Sequence, residues 1–309
     1  MTPVRAGSPA TVRLPDGRDL AYATYGDPNG QPLLICHGDA QSRLGYRWLD
    51  AQARQQGIKL ICPERPGYGC SDRAPRDYTF ARWTEDLRLL LEALDIERFT
   101  VCGVSAGGGY ALAAAAALGD RVRKTVVISG TFPFTGAGQQ RALAWYAPLM
   151  FWATTHLTSV LRPLTGAALR RYWGSDAALD RLMHQLPEAD RTLLARADVR
   201  AEVLSDSAEA MRQGPAGTMA DSVSYAHGLG GLQLSAIVGP IVFIHGTADS
   251  IMQPRVVEAA HRLVPSSTLR WVEGGGHLIM LAEPGLLLDE VEPIWCRGRP
   301  ARVGPGLSA

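Results

Sequence analysis

One stretch, FTVCGVSAGGGYALAAAAALG at residues 99–119, constrains the fold of this chain more than any other. It runs an apolar, β-type segment into a serine flanked by glycines and then directly into an alanine-rich segment. Each of the three successive glycines costs a helix roughly 1 kcal/mol relative to alanine, so the backbone here must need them for another reason. A side chain at Gly103 or Gly107 would crowd a tight strand-to-helix turn. The stretch therefore predicts a strained turn that presents Ser105.

Strand-like and helix-like segments alternate along most of the chain, which is typical of an α/β fold with a mostly parallel sheet. A hairpin that turns at residues 15–17 is expected first, because Asp-Gly supplies turn chemistry. Further helices are expected near residues 45–56 and 277–295. Another helix is expected where leucines recur at helical spacing and mark a buried face. Those leucines are Leu87, Leu90, Leu91 and Leu94. The expected strands after the hairpin are PLLICHG, IKLICPE, FTVCGV, KTVVISG, PIVFIHG and TLRWVEG.

The alternation lapses between residues 131 and 235, which are rich in aromatic residues, leucine and arginine and predict several helices without a strand. We therefore predict a core formed by residues 1–130 and 236–296, with residues 131–235 inserted as a helical cap. The tail at residues 297–309 is rich in proline and glycine and is expected to be disordered.

Composition excludes several classes of protein. The formal net charge of +1 argues against a nucleic-acid partner, because such binding needs clustered lysine and arginine. The 5 cysteines are odd in number and lack C-x-x-C spacing, so neither a disulfide framework nor a zinc site is expected. The N-terminus lacks the apolar core of a secretory signal, so a cytoplasmic location is expected.

Residues 142–161 carry no charged side chain over about the length of a membrane span. Pro148, His156 and several threonines interrupt this run, so an apolar insert that covers a pocket is favoured over a stable spanning helix. Transient contact with a lipid surface stays open, as does the formation of a homodimer.

The string GVSAG matches the pattern G-x-S-x-G, with a strand expected before it and a helix after it. This context is typical of a nucleophile elbow, in which a serine hydroxyl points off the top of a sheet. A serine nucleophile needs a base that a carboxylate orients. Asp249 and His277 each follow a predicted strand, and the carboxyl ends of strands in an open α/β sheet gather at one site. We predict that Ser105, His277 and Asp249 act as nucleophile, base and acid, with no metal.

Other positions offer weaker alternatives for these roles. His37 and His245 lie in strand-end His-Gly turns, where a structural hydrogen-bonding role is expected. The alternative acid position after KTVVISG offers Ser129 and no carboxylate.

Acyl transfer also needs hydrogen-bond donors aimed at the developing oxyanion. The backbone N–H of Ala106, the residue after the serine, is the first predicted donor. The second donor is expected from the loop after PLLICHG, where the backbone N–H of Asp39 is the candidate.

Together these motifs resemble those of the α/β-hydrolase fold family, in its serine-nucleophile branch with a helical cap. The segments that carry the resemblance are ICHGDAQSR, ERPGYGCSD, GVSAGGG, HGTADSIMQP and GGGHL. The resemblance implies a central, mostly parallel sheet with helices on both faces, a helical lid after the sixth strand, a Ser105, His277 and Asp249 triad, and no cofactor. It disfavours the aspartate-nucleophile branches, because position 105 is serine.

Two positions depart from the family pattern. Asp39 stands where related sequences usually carry a neutral residue, and its carboxylate would oppose the charge of an oxyanion. Its side chain is expected to point away or to pair with Arg43; otherwise Asp39 is an additional acid/base group whose pKa an apolar pocket raises. Glu64 replaces the usual aspartate before RPGYG and is expected to preserve a carboxylate that anchors the loop.

The leading interpretation is a serine hydrolase that cleaves an ester, thioester or activated C–C bond of an apolar or aromatic small molecule through an acyl-enzyme. Some aromatic residues of the predicted cap are expected to line the cleft. Two alternatives stay open: a non-hydrolytic cyclase, lyase or decarboxylase that uses Asp39 or His277, and a ligand-binding receptor. The cap aromatics are Phe132, Phe134, Trp145, Tyr146, Phe151, Trp152, Tyr172, Trp173 and Tyr225.

Overall fold

An eight-stranded sheet forms the centre of the protein, in the order β1-β2-β4-β3-β5-β6-β7-β8. The computed structural model describes residues 9–132, 149, 152, 176–229, 231–264 and 266–291. Strand β2 pairs antiparallel with β1 and β4, and every other neighbouring pair is parallel. The strands are β1 (Ala10–Arg13), β2 (Asp19–Gly26), β3 (Gln31–Cys36), β4 (Ile58–Pro63), β5 (Phe99–Val104), β6 (Val122–Ile128), β7 (Ile241–Gly246) and β8 (Thr268–Val272).

Helices cover both faces of this sheet. Helix α1 and the two short helices α9 and α10 lie on one face, whereas α2, α3 and α8 lie on the other. Short 3-10 segments occupy Arg43–Leu49, Gly119–Arg121, Met211–Gln213 and Leu234–Ala236. The α-helices are α1 (Asp50–Gln55), α2 (Phe80–Ala93), α3 (Gly107–Leu118), α4 (Asp176–Met183), α5 (Glu188–Leu194), α6 (Ala197–Ala210), α7 (Ala216–His227), α8 (Pro254–Leu263), α9 (Ile279–Ala282) and α10 (Gly285–Leu288).

The central strands are apolar on both sides because both sides are covered. Along β3, Leu33 and Ile35 pack into the core beneath α1 and α10, while Leu34 and Cys36 pack into the core beneath α2 and α3. All six residues of β5 are buried. The strand that leads to Ser105 is thus held rigidly from both faces.

The predicted fold class is confirmed, and so are all six predicted strands that follow the hairpin. The hairpin turns where expected, with Gly17 at a φ of 85°. Of the leucines at helical spacing, Leu87, Leu90 and Leu91 lie on α2 and are fully buried, while Leu94 directly follows the helix as its C-cap and packs against the same core.

Two helix predictions were wrong in detail. The segment expected as a helix near residues 45–56 begins as a 3-10 segment from Arg43 and becomes α1 only at Asp50. The expected final helix over residues 277–295 is broken into α9 and α10 within the described part, with Pro284 between them. Proline lacks the N–H that would continue the helix, which explains the break.

Between β6 and β7, the described residues form helices α4 to α7 and contain no strand. Apart from residues 149 and 152, the segment 133–175 lies outside the described residues, and it includes the uncharged run at residues 142–161. All of residues 297–309 lie outside them as well. The division into core and cap and the disordered tail therefore stay predictions. Among the helices that the structure describes, none has both the length and the apolar character needed to cross a membrane.

Candidate active site

Ser105 lies in the turn between β5 and α3, with a left-handed backbone φ of 50°. This conformation is strained for a residue with a side chain and is sustained by its surroundings. The Ser105 N–H donates to the carbonyl of Ile128 at 3.0 Å, which ties the turn to the end of β6. The two flanking glycines are required sterically, because a Cβ at Gly103 would meet the carbonyl of Gly107 and a Cβ at Gly107 would meet the carbonyl of Cys36.

His277 and Asp249 come from separate strand ends and meet Ser105 in one hydrogen-bonded chain. The Nε2 atom of His277 lies 3.0 Å from Ser105 Oγ, and its Nδ1 atom lies 2.8 Å from Asp249 Oδ2. Because the carboxylate can only accept, Nδ1 carries the proton and Nε2 is left free to accept from the serine hydroxyl. The structure thus brings together the three residues that the sequence singled out.

The loop after β7 fixes the orientation of Asp249, whose side chain is buried. The backbone amides of Ile251 and Met252 donate to Asp249 Oδ1 at 2.9 and 2.8 Å, which leaves Oδ2 for His277. His245 Nε2 lies 2.6 Å from the carbonyl of Met252 and so holds the same loop in place. Burial lowers the pKa of His245, which favours its neutral form.

Asp190 is a site residue that sequence reasoning missed. It lies on α5, is 1% exposed, and accepts hydrogen bonds from the backbone amides of His277 at 2.7 Å and Leu278 at 3.0 Å. Gly276 provides the space, since a Cβ there would meet the Asp190 carboxyl group. Burial raises the pKa of Asp190, and the two backbone donors oppose that rise. A helix that follows β6 in the chain therefore holds the histidine loop.

The two residues whose backbone amides are predicted to bind an oxyanion belong to the wall of the cavity that contains Ser105. Asp39 and Ala106 line the same cavity as Ser105, and neither N–H donates a hydrogen bond within the described part of the chain. The turn is fixed from behind by Tyr225, whose hydroxyl donates to the carbonyl of Ala106 at 2.7 Å and accepts from the N–H of Gly109 at 3.0 Å. The role of the Asp39 and Ala106 amides in oxyanion binding stays a prediction.

The sequence left two alternatives for an Asp39 side chain that spares the oxyanion, and the one that pairs it with Arg43 was wrong. Arg43 donates to Glu64 at 2.7 Å and to Glu209 at 2.7 Å. Asp39 Oδ1 instead accepts from the hydroxyls of Tyr68 at 2.8 Å and Thr218 at 2.6 Å, so neutral donors hold it.

Two effects raise the pKa of Asp39: burial first, and then the nearby charge of Asp221. Raising the pKa brings the carboxyl closer to the range in which it can exchange a proton near neutral pH.

Arg65 and Asp221 form a fully buried ion pair beneath the Asp39 loop, with Nε–Oδ1 and Nη2–Oδ2 distances of 3.0 and 2.7 Å. Tyr110 also donates to Asp221, at 2.7 Å. The Tyr68 hydroxyl lies 2.8 Å from Asp221 Oδ2 and 2.8 Å from Asp39 Oδ1, and its single proton is donated to only one of these two carboxyl groups at a time. Arg65 also donates to the carbonyl of Gly38, at 3.2 Å, and to the carbonyl of His37.

His37 has the structural role predicted for it. Its Nε2 atom accepts from the N–H of Arg65 at 3.1 Å, and its Nδ1 donates to the carbonyl of Gly38 at 2.8 Å. Glu64, the other departure from the family pattern, accepts from the N–H of Cys70 at 2.7 Å and so anchors its loop as expected.

A cavity of about 400 Å³ opens onto Ser105 and His277. Its described walls are largely aliphatic, with polar groups at only a few points. Among the described residues no aromatic side chain lines it: Phe132 and Tyr225 are buried in the core, and most other predicted cap aromatics lie outside the described residues. The aliphatic wall consists of Val104, Leu179, Leu182, Leu186, Leu194, Val203, Leu204, Ile251, Met252, Leu278, Met280 and Leu281.

Asp206, on α6, is a second carboxylate in this cavity that the sequence did not reveal. It is 5% exposed, and its Oδ1 atom accepts from both the N–H and the hydroxyl of Ser42, at 2.8 and 2.6 Å. Burial raises the pKa of Asp206 to about 7, helped by the charge of Glu64 and opposed by the Ser42 bonds and by Arg47.

Within the described residues, one group of side chains has the atom types of a metal site: Glu64, Cys70 and Glu209, whose ligand atoms lie within 4.8 Å of one another. Arg43 donates to both carboxylates, and Arg212 lies 3.5 Å from Glu209, so two guanidinium groups offset the two negative charges without a metal ion.

Comparison with known proteins places this geometry in context. The model of a family described as alpha/beta hydrolase fold matches residues 31–284. An uncharacterized protein of Mycobacterium tuberculosis is 26% identical over 311 aligned residues, which cover 97% of this chain and 86% of that protein. The 2-hydroxymuconate semialdehyde hydrolase of Pseudomonas putida is 35% identical over 136 residues, or 41% of this chain and 48% of that enzyme.

Among solved structures, the bromoperoxidase of Bacillus anthracis superposes with a TM-score of 0.70 at 21% identity, covering 91% of this chain and 97% of that one. At this level of identity the likeness supports the fold alone.

Proposed function

This chain belongs to the α/β-hydrolase fold family, and we propose that it is a serine hydrolase that cleaves esters of apolar small molecules through an acyl-enzyme. The observation that carries the proposal is the continuous chain from Ser105 Oγ through His277 to Asp249, with distances of 3.0 and 2.8 Å. These are hydrogen-bond distances at which a base can take the proton of a nucleophile.

In the proposed reaction, Ser105 Oγ attacks the carbonyl carbon while its proton moves to His277 Nε2. Asp249 keeps the imidazole in the tautomer that can accept that proton and stabilises the imidazolium that forms. The proton then passes to the leaving alcohol, and the acyl group stays on Ser105. A water molecule, deprotonated by the same nitrogen, releases the acid and restores the serine.

The oxyanion is proposed to bind the amides of Asp39 and Ala106, because both residues line the cavity around Ser105 and neither N–H has an acceptor among the described residues. The hydroxyls of Tyr68 and Thr218 hold Asp39 Oδ1 in place, which fixes the direction of the side chain. Removal of one oxyanion donor typically lowers kcat by about 10² to 10³.

The aliphatic wall of the cavity supports an apolar acyl or alcohol group as the main recognition element. Thioesters and activated C–C bonds share the same acyl-enzyme chemistry and stay within the proposal. The relative named as a semialdehyde hydrolase supports hydrolysis as the reaction class, although it matches only 41% of this chain.

One observation favours a second candidate, a non-hydrolytic enzyme of the same fold. Asp39 lies in the cavity wall, and its pKa is raised by burial and by Asp221, so it is placed to exchange a proton with a ligand. If this second candidate is right, the Ser105→Ala variant would retain catalytic turnover and the Asp39→Asn variant would lose it.

The test is labelling of the protein by a fluorophosphonate, located by mass spectrometry, together with hydrolysis of p-nitrophenyl esters of increasing chain length. We expect the label on Ser105 and a loss of kcat of at least about a thousandfold in Ser105→Ala. Ser222→Ala is the matched control, because Ser222 lies on α7 outside the cavity and only donates to the carbonyl of Thr218. Folded protein that neither accepts the label nor turns over any ester would refute the proposal.

A further inference from the structure

We infer that Asp206 and Gln41 form a polar subsite that binds a hydroxyl group carried by the substrate at a distance from the scissile bond. The inference rests on the proposed function and narrows its substrate class from apolar esters to apolar esters with a remote hydroxyl. Both side chains line the cavity that contains Ser105.

The Asp206 carboxyl group is built into the wall with one oxygen unused. Ser42 donates twice to Oδ1, whereas Oδ2 receives no hydrogen bond from any described residue. Gly45 makes room for the carboxyl group, because a Cβ at that position would clash with Asp206 Oδ2. Because the Asp206 residue is only 5% exposed, its unpaired oxygen has little access to bulk water, and a ligand that donates to it would be favourable.

Gln41 supplies the complementary donor. Its Oε1 atom accepts from the N–H of Gly38 at 2.7 Å and from the hydroxyl of Tyr46 at 3.1 Å. A backbone N–H can only donate, so the atom that faces Gly38 must be the oxygen. The amide nitrogen is therefore the atom that remains for the cavity, and its two N–H groups have no acceptor among the described residues.

Adjacent residues hold the two groups in place, since Ser42 fixes Asp206 and directly follows Gln41. The cavity thus offers an acceptor from one residue and a donor from the other within an otherwise aliphatic wall. A few convergent polar groups in an apolar pocket are the usual means of selecting one orientation of a ligand.

A hydroxyl group matches this pair better than other polar groups do. It can donate to Asp206 and accept from Gln41 at the same time, whereas an ammonium group only donates and a carbonyl group only accepts. Near neutral pH both forms of Asp206 occur, because burial raises its pKa to about 7. Above pH 7 the ionised form predominates, and it accepts from the hydroxyl while Gln41 donates to the same hydroxyl, so the binding test is run at pH 8.

The test measures binding without chemistry, in Ser105→Ala protein, by isothermal titration calorimetry. The probes are methyl ω-hydroxyalkanoates and methyl alkanoates in which a methyl group replaces the hydroxyl, over acyl chains of four to eight carbons. A second series of ω-hydroxyalkyl acetates and alkyl acetates covers the opposite orientation. We expect the hydroxyl probe to bind about tenfold more tightly at the best chain length in one series, the effect of one net hydrogen bond.

The variant Asp206→Asn keeps an acceptor for Ser42 and replaces Oδ2 by a donor, so the preference should fall at least about threefold. Leu204→Met is the matched control in the same wall and should change the affinity of both probes by the same factor. A preference for the methyl probe at every length in both series, or a preference unchanged in Asp206→Asn, would overturn the inference. Tighter binding of ω-amino probes would do so as well, since it would identify Asp206 as the partner of a cation.

Turnover of the same esters by the wild-type protein separates this inference from the proposed function. Hydroxyl preference in binding without any turnover would uphold the subsite and refute the hydrolase. Turnover without hydroxyl preference would uphold the hydrolase and refute the subsite.

Discussion

The buried carboxyl of Asp206 should make the stability of this protein depend on pH in a direction opposite to that of a salt-bridged aspartate. Its pKa is raised from an ordinary value of 3.8 to about 7 in the folded protein. Between these values the folded state holds a proton that the unfolded state has released. Rising pH therefore lowers the free energy of unfolding until the pH passes about 7, above which this contribution is constant.

The magnitude follows from the size of the shift. Each pKa unit corresponds to about 1.4 kcal/mol, and about two of the three units lie between pH 5 and pH 7. The wild-type protein should thus lose on the order of 3 kcal/mol through Asp206 over this interval. For a chain of this size, that loss corresponds to a fall in Tm of roughly 5 to 10 °C.

The variant Asp206→Asn removes the titrating group and keeps the acceptor for Ser42. Thermal unfolding at pH 5, 6, 7 and 8, followed by circular dichroism, should show a wild-type Tm that falls by roughly 5 to 10 °C more than that of the variant. Asp198→Asn on the same helix α6 is the control: Asp198 is exposed and pairs with Arg196, so its curve should parallel the wild type. Parallel curves for wild type and Asp206→Asn would refute the reasoning.

Three further predictions concern the groups that hold the site. Asp221→Ala should destabilise the protein by about 3 to 5 kcal/mol, because it leaves the buried Arg65 guanidinium unpaired, and chemical denaturation would measure the loss. Asp190→Asn should lower kcat for ester hydrolysis by about tenfold with little change in KM, since one of the two hydrogen bonds to the loop of His277 is lost. Gly107→Ala should cost about 3 kcal/mol or more in the free energy of unfolding, because its Cβ has no room in the turn.

Each of these predictions has a matched control. Asp198→Ala removes an exposed ion pair and should leave stability unchanged within error. Glu188→Gln alters an exposed acid on the same helix as Asp190 and should leave kcat unchanged. Ala117→Gly, at an exposed position of α3, should cost only about 1 kcal/mol. A variant that behaved like its control would contradict the corresponding role.

The triad positions could be found from sequence because each depends on local pattern alone. A buried strand followed by a turn places its next residues at the carboxyl edge of the sheet, whatever the rest of the chain does. Ser105, Asp249 and His277 all follow β-type runs, and the structure brings them within hydrogen-bond distance. Asp39 could be placed by the same rule, but the partners of its side chain could not.

Asp206 and Asp221 could not be placed from local pattern, because their partners lie far away in the chain. Ser42 and Arg65 are 164 and 156 residues from these acids. In the structure each acid lies on the buried side of its helix, where an apolar residue is the usual occupant. An acid at such a position predicts a buried partner without saying which one.

Helices that follow β6 hold three different loops of the site through three buried carboxylates. Asp190 accepts from the loop of His277, Asp206 from Ser42 after β3, and Asp221 pairs with Arg65 after β4. Because the loops belong to separate strands, the packing of these helices sets the distance between the base, the predicted oxyanion amides and the cavity wall. It follows that weakening one carboxylate contact should reduce activity at temperatures well below global unfolding. A change in the core beneath α2 should instead reduce activity and the folded fraction at the same temperature.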